Sequence, residues 1–105
     1  MEEWTLRQQA LLELLESKIV VLDGAMGTMI QQLGLTSDDF GGRELEGCNE
    51  HLVLTRSDVI LNIHRAYLAA GAELIETDTF GATRIVLSEY GLEHKVHELN
   101  VAAAR

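Results

Sequence analysis

The stretch Ile19–Ile30, IVVLDGAMGTMI, carries the fold prediction for this chain of 105 residues. Its apolar, β-branched run ends at Asp23 and is typical of a strand that is buried on both faces, as in parallel sheets. Gly24 and Gly27 then permit a tight turn, and the apolar residues of 25–34 recur at helical spacing. The stretch therefore predicts a strand, a turn and a helix, with a carboxylate at the turn.

The rest of the chain repeats this alternation of helix and strand. Helices are predicted over residues 5–18, 55–71 and 83–90 and from residue 93 onward, and a second strand over Glu73–Thr79. This order predicts an α/β fold with parallel strands and right-handed crossovers. Two such strands cannot cover both of their own faces, and the last helix carries no stop signal. We therefore expect the chain to be the opening part of a larger domain.

Residues 35–55 separate the two halves of this pattern. They carry three glycines and many charges, and their apolar residues show no clear period. We predict a long loop with short turns, and long loops in compact domains are usually functional or mobile.

Composition excludes several classes of function. Lys and Arg number 8 against 17 Asp and Glu, which gives a net charge of −9, and the absence of a basic patch argues against nucleic-acid binding. No apolar run approaches the ~20 residues of a membrane helix, and the acidic start does not resemble a signal peptide, so we expect a cytoplasmic protein. The single cysteine, Cys48, excludes an internal disulfide and a multi-cysteine metal site.

Asp23 is the first candidate functional residue. Ligands of parallel α/β folds bind at the carboxyl ends of the strands, where Asp23 lies. Its carboxylate suits a cation, and the amides and dipole of the following helix suit an anion. Together they would suit a zwitterionic amino acid. The alternative is a helix-capping aspartate beside turn glycines, and the local pattern leaves both open.

Other motifs give weaker signals. The dinucleotide and P-loop glycine patterns are absent, and a phosphatase-like hydrolase using Asp23 is the nearest rival enzyme, although the second acid of its D-x-D-G-T pattern is missing. In ETDTF, residues 76–80, strand alternation places Glu76 and Asp78 on one face, near a site. His94 and His97 fit a solvated helix face better than a metal site.

Three segments resemble the homocysteine S-methyltransferase family, and within it the branch of cobalamin-dependent methionine synthases. They are VLDGAMGTMIQ at 21–31, GCNEHLVLT at 47–55 and AGAELIETDTFGAT at 70–83. The resemblance runs from about Ile19 to Arg105 and implies that residues 1–105 form the opening βα units of a (β/α)8 TIM barrel. Such barrels typically need about 250 residues.

The family resemblance also implies a reaction and its partners. Homocysteine binds at the carboxyl end of the barrel, with its thiol on a zinc ion. The thiolate takes a methyl group from methylcobalamin, which methyltetrahydrofolate regenerates on cobalamin- and folate-binding domains. The family's zinc is held by three cysteines from late strands, none of which Cys48 matches. We therefore expect neither zinc nor cobalamin to bind this chain alone, and no turnover by it.

Residue by residue, the resemblance implies a substrate-binding set. Asp23 matches the acid near the substrate's amino group, the turn faces the substrate with its backbone, and two residues after the second strand line the pocket. The turn residues are Gly24, Ala25, Met26 and Gly27, and the pocket residues are Glu76 and Thr79. Position 78 departs from the family, which commonly has asparagine there. A freestanding amino-acid-binding or interaction module remains the alternative to an enzyme fragment.

Overall fold

A computed structural model describes residues 2–105 and is mainly helical. The α-helices are α1 (Glu3–Ser17), α2 (Gly27–Gln31), α3 (Ser37–Phe40), α4 (Leu52–Thr55), α5 (Ser57–Ala69), α6 (Arg84–Ser88) and α7 (Val96–Ala104). Short 3-10 turns lie at Arg43–Leu45, Asn49–His51 and Glu93–Lys95. Within residues 2–105, no helix combines the length and the apolar character that crossing a membrane requires.

The two predicted strands are not formed as extended strands, which corrects the α/β prediction. Over the residues described, the only β pairing is one isolated bridge, Leu22 with Leu74, and it is parallel, as predicted. The Asp23 amide donates to the Leu74 carbonyl at 2.9 Å, and the Glu73 amide donates to the Val21 carbonyl at 2.8 Å. The two segments therefore meet in the expected direction over a very short length.

Exposure explains why the pairing stays short. Ile19 is 90% exposed and Val21 is 51% exposed, so the prediction that this run is buried on both faces is wrong here. Among residues 2–105 each segment has only the other as a β partner. A two-stranded parallel pair without cover on its faces gains too little apolar burial to form a regular ladder.

The core lies among the helices that follow the first turn. Leu52 of α4, Leu87 of α6 and Leu99 of α7 are each 0% exposed. The other buried members of this core cluster are Ile30, Phe40, Cys48, Val53, Val59, Ile60, Ile63 and Leu92. The predicted helices over 55–71, 83–90 and after 93 are thus confirmed as elements, although the structure shortens each of them.

Residues 35–55 differ most from their prediction as a long loop. They fold into α3, two 3-10 turns and α4. They also bury Phe40, Cys48, Leu52 and Val53 in the core. Apolar residues at irregular intervals along short helices produced no readable period, yet they fill the centre of the molecule.

Helix α1 is present as predicted but packs little. None of its residues is buried, and Leu12 and Leu15 are 53% and 51% exposed. The helix begins at Glu3, two residues before the predicted start, and no side chain caps it. The radius of gyration, 15.6 Å, exceeds the ~13 Å of a compact domain of this length, as expected for a projecting helix.

Candidate functional site

A cavity of about 350 Å³ lies where the turns after the two paired segments meet. Four of the seven predicted substrate-binding residues line it: Gly24, Met26, Gly27 and Glu76. The three residues of the first turn come after Leu22 in the chain, and Glu76 comes after Leu74, the bridge partner of Leu22. The parallel bridge brings these two turns together, because the carboxyl ends of parallel segments lie at the same edge.

Asp23 holds this arrangement together. Its two carboxylate oxygens accept the backbone N–H of Glu76 at 3.2 and 3.1 Å. The Asp23 side chain therefore connects the turn after Leu22 to the turn after Leu74. Asp23 itself is not among the residues that line the cavity. The structure places Asp23 beside the cavity rather than in its wall.

Ala25 and Thr79, the two remaining predicted residues, are also outside the lining. The carbonyl of Ala25 accepts a 2.6 Å hydrogen bond from the hydroxyl of Tyr67 on α5, which fixes the first turn on that helix. The Thr79 hydroxyl pairs with that of Thr77 at 2.7 Å. Both residues shape the turns that carry the cavity.

The predicted helix after the glycine turn is shorter than expected. The sequence predicts it over residues 25–34, whereas α2 covers only Gly27–Gln31 and Gly34 takes a left-handed conformation with φ of 63°. A helix of five residues aligns few peptide dipoles, so its N-terminus provides only a weak attraction for an anion.

Asn49 and Glu50 line the cavity and were missed in the sequence. They lie in the segment predicted as a loop, at the 3-10 turn before α4. One Glu50 carboxylate oxygen, Oε1, accepts the Gly81 amide at 3.1 Å. A Cβ at Gly81 would stand only 2.4 Å from that oxygen, so the contact requires glycine there. The signal in the sequence that could have indicated these two residues is their position directly before the run HLV, residues 51–53, which is buried.

Thr77, Asp78 and Phe80 complete the lining. The predicted alternation of ETDTF is only partly right, because Thr77 lines the cavity together with Glu76 and Asp78 instead of facing away. Asp78 is 7% exposed and Phe80 is fully exposed. The chain turns here instead of continuing as a strand, so successive side chains no longer alternate between two faces.

Asp78 has an unusual environment. Its Oδ2 atom is buried and has no hydrogen-bond partner. Burial, together with the nearby Glu50 carboxylate, raises the pKa of Asp78 to about 7. This carboxyl group therefore titrates near neutral pH, which makes it the most perturbed acid at the cavity.

Cys48 and His51 are both buried and contribute to the core of the fold. Cys48 is 1% exposed, and burial raises the pKa of its thiol, the opposite of what a nucleophile needs. The Nδ1 atom of His51 hydrogen-bonds the Phe40 carbonyl at 2.7 Å in the core. The nearby Glu50 and Asp78 carboxylates raise the pKa of this thiol further, so we assign Cys48 no catalytic role.

The residues described do not fit a zinc ion. Over positions 2–105, no three side chains of His, Cys, Asp or Glu come together in a way that could hold a metal. The family's zinc would need ligands that this part of the chain does not bring together.

Comparison with known proteins gives the family. The profile of the family described as homocysteine S-methyltransferase matches residues 20–105. The chain belongs to the homocysteine S-methyltransferase family. The family implies a TIM-barrel domain, which agrees with the parallel direction of the one bridge.

Two curated relatives of this family member are named methionine synthase. The protein of Mycobacterium leprae (strain TN) is 51% identical over 90 residues, which cover 86% of this chain and 7% of the relative. That of Mycobacterium tuberculosis (strain ATCC 25618 / H37Rv) is 48% identical over 90 residues, with the same coverage. The chain thus spans only a small part of the length of the relatives it matches.

Proposed function

We propose that residues 1–105 form the opening βα units of a homocysteine-binding (β/α)8 barrel and that their cavity holds the amino-acid part of homocysteine. The observation that carries this proposal is the convergence of Gly24, Gly27 and Glu76 on one cavity of about 350 Å³. The family match over residues 20–105 supports the same assignment.

For the whole protein we propose a methionine synthase, by transfer of a methyl group from methylcobalamin to the sulfur of homocysteine. The names of both mycobacterial relatives support this. Because the present residues do not fit the family's zinc, we propose that its ligands lie elsewhere in the protein, together with the cobalamin- and folate-binding domains.

Within the cavity, backbone and side chains have separate roles in this proposal. Gly27 lets the chain pass close to the ligand without a Cβ in the way, whereas a Cβ at Gly24 would face the Tyr67 hydroxyl at 3.4 Å. Glu76 and Met26 line the wall beside them. The predicted contact of Asp23 with the substrate's amino group stays a prediction, since both of its oxygens accept the Glu76 amide.

Calorimetric titration of the 105-residue chain with L-homocysteine tests the proposal. We expect saturable binding with a Kd of about 1 mM, or about −4 kcal/mol, because half of a site gives little contact area. Glu76→Ala should weaken binding at least about fivefold, whereas Glu44→Ala, exposed and outside the cavity, should not change it. Absence of saturable heat would overturn the proposal.

The same preparation tests the two rival functions. A freestanding amino-acid-binding module would bind L-homocysteine equally well with and without the C-terminal part of a related barrel, while our proposal expects tighter binding when that part is added. A hydrolase using Asp23 would release phosphate from a phosphomonoester in a Mg²⁺-dependent manner, and the family match gives that reading no support.

A further inference from the structure

Tyr67 of α5 reaches the turn that follows the first paired segment. Its hydroxyl group donates a hydrogen bond to the Ala25 carbonyl at 2.6 Å, across 42 positions of the chain. This distance lies within the usual range for a hydrogen bond between two oxygen atoms. One side chain therefore joins helix α5 directly to the turn at residues 24–27.

The aromatic ring of Tyr67 is held by the core. It packs against the core cluster, to which α5 contributes Val59, Ile60 and Ile63. A tyrosine side chain has few rotatable bonds, so a ring packed in this way leaves the hydroxyl oxygen little freedom. The core thus sets the position of the donor, and the donor sets the position of the Ala25 carbonyl.

Tyr67 also holds the chain that leads into the second paired segment. Its backbone carbonyl accepts the Ala72 amide at 3.0 Å, just beyond the end of α5. The next residue, Glu73, donates its amide to the Val21 carbonyl at 2.8 Å. One residue therefore anchors both of the segments whose turns line the cavity, the first through its side chain and the second through its backbone.

The first turn has few other supports. Before it, the Asp23 amide donates to the Leu74 carbonyl at 2.9 Å, and after it α2 begins. Between these two points, and within the described residues 2–105, Gly24 and Ala25 form no backbone–backbone hydrogen bond. The bond from the Tyr67 hydroxyl group supports this part of the turn.

The ring lies behind the cavity wall. A Cβ built on Gly24 would stand 3.4 Å from the Tyr67 hydroxyl oxygen and 3.6 Å from its Cε1 atom, so the ring lies directly against the turn. Gly24 lines the cavity, whereas Tyr67 is outside the lining. Tyr67 can therefore act on a ligand only through the turn.

We propose that Tyr67 is a positioning residue of the amino-acid site, whose hydroxyl group holds the turn at residues 24–27 in the conformation that binds the ligand. This inference rests on the proposed function, since it concerns the same cavity and the same ligand. A turn that is already ordered loses less conformational entropy when the ligand binds, and affinity is higher for that reason. Loss of the hydroxyl group should therefore weaken binding although Tyr67 touches no ligand.

Tyr67→Phe tests the proposal, with Tyr90→Phe as the matched control. Both rings pack against the same core cluster, and each substitution removes only a hydroxyl group. Tyr90 is outside the cavity lining, and its hydroxyl oxygen lies 3.9 Å from a Cβ built on Gly47, away from the turn at residues 24–27. Because phenylalanine keeps the ring in the core, neither variant is expected to unfold the chain.

NMR titration of the 105-residue chain with L-homocysteine measures Kd, and ¹⁵N relaxation without ligand measures the order of the turn. We expect Tyr67→Phe to raise Kd at least about fivefold and to lower the order parameters of residues 24–27 from about 0.85 to below about 0.6. Tyr90→Phe should change neither quantity. Placing 4-aminophenylalanine at position 67 supplies an N–H donor where the hydroxyl group was, and should return Kd to within about twofold of its original value.

The outcomes separate this inference from a purely structural bond and from the proposed function. A lower urea midpoint for Tyr67→Phe with an unchanged Kd would overturn the inference, because the bond would then stabilise the fold without serving the site. Equal effects of Tyr67→Phe and Tyr90→Phe on Kd would also overturn it, and both results would leave the proposed function standing. No saturable binding by the unchanged chain would overturn the proposed function, and the inference about this ligand with it.

Discussion

Asp23 accepts the backbone N–H of Glu76 on both carboxylate oxygens, at 3.2 and 3.1 Å. The two residues are 53 positions apart in the chain, and each follows a residue of the parallel Leu22–Leu74 bridge. The carboxylate thus extends the contact between the two segments beyond the bridge itself. It sets the relative position of the turns that line the cavity.

Removing this link should loosen the join between the segments. We expect Asp23→Ala to lower the free energy of unfolding by about 1 kcal/mol, the net value of a hydrogen bond at an exposed position. Asp23→Asn should cost less, because it keeps one acceptor oxygen. Urea denaturation measures both changes, with Glu13→Ala on exposed α1 as the control. An unchanged midpoint for Asp23→Ala would show that the contact contributes nothing.

A side chain at Gly81 is predicted to displace Glu50. A Cβ there would lie 2.4 Å from the Glu50 Oε1 atom and 3.1 Å from Val86 Cγ1. Because Oε1 is the end of a flexible side chain that can move aside, we expect Gly81→Ala to destabilise the fold by about 1 kcal/mol, through loss of the bond between Glu50 and the Gly81 amide. Gly27→Ala is the matched control, since its Cβ would meet Asn49 Nδ2 at an ordinary 3.8 Å. Its effect should stay within about 0.5 kcal/mol.

The cause of the Gly81 effect can be isolated by a double variant. Adding Glu50→Ala to Gly81→Ala removes the carboxylate that the new methyl group would strike. The two changes should then be less than additive in the free energy of unfolding. Strict additivity would show that Glu50 is not the obstacle.

Asp78 makes stability depend on pH. Its pKa is about 7 in the folded chain against a reference of 3.8, so the folded state binds the extra proton between these values. Stability should therefore fall as pH rises from about 4 to about 7. Asp78→Asn cannot ionise, and we expect it to stabilise the fold by about 1–3 kcal/mol at pH 8, with the difference vanishing towards pH 4. Thermal unfolding of both proteins across this range measures it, and an equal difference at all pH values would contradict it.

Cys48 should be unreactive while the chain is folded. It is 1% exposed, and burial raises the pKa of its thiol, which keeps the reactive thiolate scarce. We expect its reaction with a disulfide reagent to be at least about 100-fold slower in the native protein than in denaturant. Comparable rates in the two states would show that the core around Cys48 opens readily.

The helices were largely predictable because their information is local. The helix predicted over 55–71 is α5 in the structure, where Val59 and Ile63 are buried and Gly71, just after the helix, has a left-handed φ of 113°. The apolar run before Asp23 was equally visible, but strand formation depends on neighbours. With a single bridge partner over the described residues, Ile19 is left 90% exposed and no ladder forms.

The candidate site was half predictable for a similar reason. Gly24, Gly27 and Glu76 belong to turns that follow apolar runs, and such positions can be read in the sequence. Glu50 cannot be found in this way, because its place in the cavity depends on how residues 35–55 fold back onto Gly81. The raised pKa of Asp78 likewise arises from burial and from Glu50, which no local pattern encodes.

Mapping of the L-homocysteine site by amide chemical shifts in the ¹⁵N-labelled chain tests the central claim most directly. The account predicts saturable shifts at Gly24, Gly27 and Glu76, the residues that converge on the cavity. Amides of α1, which contributes no buried residue, should not move. Saturable shifts confined to other parts of the chain, or no saturable shift at all, would contradict it.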